Sequence, residues 1–402
     1  MNSLPGGSDQ TSYQKLPKSI WVLGFVSMFM DISSEMIHSL LPVFLVSVLG
    51  ASALTVGVIE GIAESSALIV KVFSGTLSDY LGKRKMLAVI GYGLGALSKP
   101  LFAIATSSGM VLFARFVDRI GKGIRGAPRD ALVADIAPLS IRGAAYGLRQ
   151  SLDTVGAFTG PLLAVVLMLY WADDFRAVFL VAIIPGALAV ALLFFGVQEP
   201  TRHPHEKPVN PVHIRELKRL GRAYWWVVAI GAVFSLARFS EAFLVLRAQQ
   251  CGLPIAVVPL VFVAMNLVYA AAAYPFGILS DRISHTKLLV LGLIVLIGAD
   301  LVLAIAQTWV VVFIGVALWG LHMGITQGLL STMVADTAPK DLRGSAFGFF
   351  NLLSGLTMLV ASTLAGLLWD RLGSAYTFYA GIVFCLLAFT ALVIKKLGDN
   401  TH

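Results

Sequence analysis

Residues 133–147 read Val-Ala-Asp-Ile-Ala-Pro-Leu-Ser-Ile-Arg-Gly-Ala-Ala-Tyr-Gly, and residues 334–348 read Val-Ala-Asp-Thr-Ala-Pro-Lys-Asp-Leu-Arg-Gly-Ser-Ala-Phe-Gly. The two stretches lie 201 positions apart in a chain of 402 residues. A second pair agrees with the first. Gly75, Leu77-Ser78-Asp79 and Lys85 return as Gly277, Leu279-Ser280-Asp281 and Lys287, at an offset of 202. Two separate motifs that share nearly one offset, half the chain length, mark the chain as a duplication of itself.

Composition says what is duplicated. Apolar residues make up 57% and charged residues 13%, with a mean hydropathy of +0.84. A soluble domain is about 45–50% apolar and about 25% charged. The balance excludes a soluble enzyme and a disordered chain. A porin-like barrel is disfavoured because its alternating strands look only mildly apolar. The remaining class is an all-α polytopic membrane protein. Two cysteines, Cys251 and Cys385, are too few for a disulfide framework or a cysteine-rich metal site. No metal or cofactor is expected.

Apolar stretches long enough to cross about 30 Å of hydrocarbon recur along the chain. Twelve are predicted, over 20–48, 54–77, 86–105, 109–137, 142–169, 175–197, 223–247, 254–279, 287–306, 309–336, 344–369 and 374–395. Duplication assigns six to each half. An even number of spans returns the chain to its starting side, so the repeats are parallel. The expected organisation is a tail over 1–19, a six-helix bundle over 20–197, a linker over 198–222, a second bundle over 223–395 and a tail over 396–402. The linker holds Pro200, Pro204, Pro208 and Pro211, followed by a basic amphipathic piece from His213 to Arg222.

The net charge of +8 follows from sidedness rather than from nucleic-acid binding. Of thirty lysines and arginines, eighteen fall at one side of the predicted bundle, three at the other (Arg176, Arg247, Arg371) and nine within spans. This positive-inside bias predicts that both termini are cytoplasmic. The polar stretch 1–19 does not read as a secretory signal.

Residues 75–85, Gly-Thr-Leu-Ser-Asp-Tyr-Leu-Gly-Lys-Arg-Lys, resemble the loop signature between helices two and three of the major facilitator superfamily. Tyr80 stands where a base is usual. The second copy keeps Gly277, Leu279, Asp281 and Arg282 but has Ser284 in place of glycine. Arg119-x-x-x-Gly123 resembles the family's helix-four pattern. Gly156-x-x-x-Gly160-Pro161 resembles its helix-five pattern associated with antiporters, although Leu162, Leu163 and Ala164 follow where glycines are usual. The resemblance covers the whole chain. It implies the twelve-helix fold of two six-helix repeats, a monomer, and a substrate site between the halves. It also implies a conformational latch of Gly75, Asp79, Gly82, Lys83 and Arg84, with Asp281 and Arg282 in the second copy. The latch acid, Asp79, would pair with Arg119 or Arg125 and face the N-terminus of helix eleven.

Charges within a bilayer are costly and mark functional paths. The bases within spans are Lys71, Lys99, Arg115, Arg119, Lys122, Arg125, Arg129, Arg149 and Arg238; the acids are Asp31, Glu35, Glu60, Glu64, Asp118, Asp130, Asp153, Glu241 and Asp300. All but Arg238, Glu241 and Asp300 belong to the first half. A requirement of the fold would appear in both copies, so the asymmetry points to chemistry concentrated in the first. Arg115, Asp118, Arg119, Lys122, Arg125 and Arg129 recur at helical spacing and form one stripe. Asp31, Glu35 and His38 form another, Glu60, Glu64 and Lys71 a third, and Arg149 and Asp153 are an i, i+4 pair.

Two readings of these charges stay open: bases that attract an anionic substrate, or bases and acids that neutralise one another as buried pairs. Proton coupling is assigned first to Asp31 and Glu35, then to Glu60, Glu64 and Asp153. The substrate-cavity candidates are His38, Arg115, Asp118, Arg119, Lys122 and Arg149, with Arg238, Glu241, Trp319, His322 and Gln327 on the opposing wall. Gly156 and Gly160 share one helix face and allow close packing, and Pro161 removes a backbone donor.

The expected function is proton-coupled secondary transport of a small organic molecule, by alternating access, across a bacterial cytoplasmic (inner) membrane. The expected partners are that substrate, protons and the lipid bilayer. The helix-five pattern favours export by antiport, and the basic stripe of helix four supports the alternative, uptake of an organic anion or other nutrient. No Gly-x-x-x-x-Gly-Lys-Ser/Thr sequence is present, which disfavours an ATP-driven pump. A membrane sensor or enzyme would need a signalling domain or a clustered catalytic set, and neither is evident in the sequence.

Overall fold

The computed structural model describes residues 16–199, 219–280, 282–339 and 342–399, leaving aside the side chains of Thr76, Asp79 and residues 394–399. Every regular element among the described residues is helical. Eleven spans are long and apolar enough to cross a membrane. A twelfth helix of 29 residues, Ser108–Ile136, carries Arg115, Asp118, Arg119, Lys122, Arg125, Arg129 and Asp130 and is too charged to meet that standard by composition. It is nevertheless one of the twelve, because Arg115, Asp118, Arg119 and Arg125 are buried.

The spans are, in order, Lys18–Val48, Ala53–Leu81, Arg84–Ala103, Ser108–Ile136, Arg142–Tyr170, Phe175–Gly196, Arg222–Gln250, Ile255–Ser280, His285–Ile305, Trp309–Thr337, Arg343–Leu372 and Ser374–Asp399. They are numbered one to twelve below. Their ends follow capping chemistry. The Ser52 side chain accepts from Thr55 N–H at 3.2 Å and opens span two. The Asp174 carboxylate accepts from the Arg176 and Ala177 amides at 3.0 and 3.1 Å and opens span six. Gly82, at φ +64°, ends span two in the left-handed region that favours glycine.

Four spans are broken. Span one leaves the α-helix after His38, span six at Ala182, span seven between Ala237 and Ala242, and span ten at Gln327-Gly328. The first two breaks fall four residues before Pro42 and just beyond the residue four before Pro185, where the proline ring removes an i to i−4 bond. Gly328 adopts φ +74°. The breaks in spans one and seven lie at equivalent positions of the duplication, Ser39 against Ser240.

In the first half span one packs on five and span four on three and two; in the second, span ten packs on nine and eight. The halves meet along two against eleven and five against eight. At the end of the bundle remote from the termini this seam is closed. A Cβ on Gly57 would strike the Ser362 carbonyl, and one on Gly366 would strike the Ala53 carbonyl. The Asp370 carboxylate of span eleven accepts from Ala53 N–H at 3.0 Å and Leu54 N–H at 2.9 Å, the first turn of span two. Gln249 of span seven donates to the Ser47 hydroxyl of span one at 2.8 Å.

Residues 1–15 of the expected tail, most of the expected linker, Asp281 and residues 400–402 lie outside the described residues.

Candidate functional site

Between the halves lies a cavity of about 490 Å³ whose walls are spans one, two, four and five of the first half, closed on one side by Asn266 and Tyr269 of span eight. Asp31, Glu35, Glu64, Lys71, Lys122, Arg125, Arg129, Asp130 and Asp153 all line it. Lys71, Asp130 and Gln150 belong to the portions of their helices nearest the termini, so the cavity extends toward that end. A second cavity of about 290 Å³ adjoins it at Tyr269 and is walled by the second half, with Arg238 its one charged residue.

The glycines of span five set the geometry of the acids. A Cβ on Gly156 would fall 2.6 Å from the Met28 carbonyl oxygen and 2.9 Å from the Asp31 Cβ. One on Gly160 would fall 2.8 Å from the Ile32 oxygen and 2.9 Å from the Glu35 Cβ. Each glycine thus lets the backbone of span one approach at the residue carrying an acid. Pro161 remains inside an unbroken helix.

Most of the other charges are tied into two networks. In the first, Arg115 donates to both oxygens of Glu60 at 3.1 and 2.8 Å, a bidentate pair in which both side chains are at most 2% exposed. His38 lies 3.5 Å from Glu60 and 3.4 Å from Glu35. Arg119 lies 3.2 Å from Glu64 and 3.7 Å from Asp118, and Lys99 binds Asp118 at 2.8 Å and the Ser34 hydroxyl at 3.0 Å. In the second network, nearer the termini, Arg149 pairs with Asp153 at 2.5 Å and lies 3.7 Å from Asp130. Arg129 pairs with Asp130 at 3.1 Å, donates to the Ser27 hydroxyl at 3.2 Å and lies 4.0 Å from Asp153.

Asp31 sits between the networks. It lines the cavity and, among the described residues, takes part in no hydrogen bond or ion pair. The charges acting on it are Asp153, Arg125, Lys122 and Arg129. Lys71 and Lys122 are exposed to the cavity and likewise form no ion pair. Arg125 stacks over the Tyr92 ring, 4.9 Å from its centroid.

The residues expected to form the site therefore separate. Asp31, Glu35, Glu64, Lys122, Arg125 and Asp153 line the first cavity, and Arg238 and Gln327 the second. Glu60, Arg115, Asp118, Arg119 and Arg149 are held in ion pairs and do not line the cavity, and His38 stands beside them, 3.5 Å from Glu60. Trp319 and His322 do not line either cavity. Both are fully buried in the second half, Trp319 against Phe239 and His322 with Nδ1 on the Gly292 carbonyl at 2.8 Å. Their side chains point from span ten into its own bundle, a direction that spacing along one helix does not specify. Glu241 caps no amide with its side chain and stands in the break of span seven. Tyr269, which joins the cavities, and Lys71 complete the lining. Lys71 was legible as a base within a span; nothing in the sequence distinguishes Tyr269 from a packing residue.

At the expected latch, Gly82 makes the turn, Arg84 pairs with Asp135 at 2.5 Å and donates to the Ala131 carbonyl, and Lys83 and Arg282 are exposed. The backbone of Gly75 approaches Ala127 of span four. The side chain of Asp79, like all of Asp281, is outside the described part.

The model of the Major Facilitator Superfamily matches residues 23–257 and 242–400. An uncharacterized MFS-type transporter of Methanocaldococcus jannaschii is 33% identical over 384 residues, 93% of this chain and 94% of that protein. The glucose transporter GlcP of Staphylococcus epidermidis is 23% identical, over 85% of this chain and 86% of its own. Among solved structures, a bacterial homolog of the human lysosomal transporter Spinster, inward-facing and unoccupied, superposes with a TM-score of 0.75 at 15% identity, covering 94% of this chain and 96% of that one. The nucleoside transporter NupG gives 0.76 at 11% identity, over 94% and 98%. Two six-span repeats around a charged central cavity, matched end to end by one family, make this chain a member of the major facilitator superfamily.

Proposed function

We propose that the protein is a proton-coupled secondary transporter that moves a small organic molecule across the cytoplasmic (inner) membrane of a bacterial cell by alternating access. The reading rests on one observation above all: Asp31 presents an unbonded carboxylate to the cavity between the halves, while most of the surrounding acids are paired with bases. A proton carrier must exchange its proton with water and with a neighbouring base as the cavity changes sides. Asp31 has that access, and Asp153 with Arg129 and Arg149 offers it a neighbour whose pairing is able to change. Glu35, 20% exposed and beside His38, is the second carrier candidate.

The positive-inside bias supports cytoplasmic termini, and with them an inward-open reading of a cavity that extends toward that end. Export by antiport is the primary reading, from the Gly156–Gly160–Pro161 pattern that aligns span five with the acids of span one. Uptake of an organic anion is the second reading, favoured by the unpaired Lys71 and Lys122 in the cavity.

The test uses everted vesicles holding the full-length protein, acidified inside and reporting through a pH-sensitive dye. A panel of organic cations, sugars, nucleosides and carboxylic acids is added one compound at a time. At least one compound should dissipate the gradient in wild-type vesicles, and the same compound should fail with Asp31→Asn. Transport that persists unchanged after a protonophore collapses the gradient, for every compound moved, would overturn proton coupling.

A further inference from the structure

The cavity in the second half has a chemistry that proton coupling leaves unused. Arg238 stands in the break of span seven, between the helix that ends at Ala237 and the one that begins at Ala242, and lines this cavity. Among the described residues its side chain makes no hydrogen bond and no ion pair. The Phe234 ring lies 5.9 Å from its guanidinium carbon. The groups acting on it are Glu241 and Tyr269, neither in bonding contact.

Arg247, in the same span, shows what a structural arginine looks like here. It donates to the carbonyls of Leu303, Ala304 and Ala306 and to the side chains of Gln250 and Ser374. Nothing comparable holds Arg238. An uncompensated base at bilayer depth is costly unless an anion joins it, and its planar fork matches a carboxylate through two parallel hydrogen bonds.

Phe234, Phe350, Met323, Met358 and the ring of Tyr269 give this wall apolar and aromatic surface, and its other polar groups are the uncharged side chains of three serines, Thr326 and Gln327. No acid lines it. A cation would meet Arg238 as a like charge. A sugar could bond the uncharged polar groups but would leave the guanidinium without a counter-charge. The volume, about 290 Å³, is that of a small ligand site.

We propose that the Arg238 cavity is the substrate subsite, and that it takes a small amphipathic organic anion: a monocarboxylate with an apolar or aromatic body, its carboxylate on Arg238 and its body against Phe234 and Phe350. The proposal rests on the transport reading above and adds the substrate class to it, whichever way the substrate moves.

The experiment is binding to the purified full-length protein in lipid nanodiscs, without any gradient. The probes are 2-naphthoate, its neutral analogue 2-naphthamide and the cationic 2-naphthylmethylamine, titrated by calorimetry. Naphthoate should bind at least about tenfold more tightly than the amide, as loss of a charge-assisted pair predicts. The amine should not bind. Arg238→Gln should remove the preference for the acid, and Arg238→Lys should retain part of it. Equal affinity for acid and amide, no binding of the acid, or a full preference in Arg238→Gln would each overturn the proposal. Should Arg238→Gln not fold, the comparison of acid with amide on the wild-type protein decides alone. The two readings fail separately. Naphthoate binding without any pH-driven flux would sink proton coupling only, and pH-driven flux of other compounds without a preference for the acid would sink the anion subsite only.

Discussion

At the scale of single residues, the acids of the first half differ in what holds them. Glu60 is gripped by both arms of the Arg115 fork and by His38, with 1% of its side chain exposed. Removing one member of such a pair leaves an uncompensated charge in the interior, at a cost of roughly 3–5 kcal/mol. Arg115→Leu should therefore lower the thermal midpoint sharply in detergent. Asp31→Asn breaks no bond seen among the described residues and should stay within about 1 kcal/mol of wild type, while abolishing pH-driven transport. Thermal unfolding of both variants beside the vesicle assay checks the contrast, and a large destabilisation by Asp31→Asn would mean that the carboxylate is structural. The sequence showed that these charges occupy helical stripes in one half. It did not show who pairs with whom, because partners come from different spans: Lys99 of span three holds Asp118 of span four, and Arg115 reaches across to span two. Spacing along a helix fixes a face, and pairing across helices needs their packing.

At the scale of elements, two features of the seams carry predictions. Gly156 and Gly160 bring span five onto the acid-bearing face of span one. Gly156→Ala drives a methyl into the Met28 carbonyl and the Asp31 Cβ. Both helices must part, at a cost of about 1–3 kcal/mol. The expected result is a lower thermal midpoint together with weakened proton-driven flux; Gly147→Ala, on the same span with open space around it, should change neither. The second feature is the Asp370 clasp on the first turn of span two. It satisfies two orphan amides and sets a negative charge at a helix N-terminus. It holds the halves together only while the end remote from the termini is closed, so Asp370→Ala should cost the state closed at that end about 1–2 kcal/mol. Spin labels placed across that end should report a roughly five- to thirtyfold rise in the open population, and an unchanged distance distribution would remove the clasp from the gating cycle. The breaks of spans one and six, through which the expected spans 20–48 and 175–197 ran uninterrupted, were still marked in the sequence by Pro42 and Pro185. The break of span seven was not: Arg238-Phe239-Ser240-Glu241 contains neither proline nor glycine, and only its alignment with Ser39 in the other copy points to it. That break releases Arg238 into the cavity, so the residue carrying the substrate proposal was placed by tertiary structure rather than by local propensity.

At the scale of the whole molecule, the asymmetry of charge on a duplicated scaffold separates two tasks. The first half lines its cavity with both acids and bases; the second lines its cavity with a single charged group, the unpaired guanidinium of Arg238. This division makes the direction of transport measurable as charge. If a monoanion leaves the cell while one proton enters, two charges cross in the same electrical sense. Each is worth about 2.3 kcal/mol per 100 mV, so an interior-negative potential of that size adds about 4.6 kcal/mol to the drive. If the monoanion enters together with one proton, no net charge crosses and the potential adds nothing. Proteoliposomes with equal pH on both faces and a potential set by potassium and valinomycin separate the two. The export reading predicts that 2-naphthoate efflux accelerates as the interior is made negative and slows when the potential is reversed. Flux that responds to a pH gradient and ignores the potential would overturn export by antiport and assign the same cavity, with the same Arg238 and Asp31, to uptake by symport.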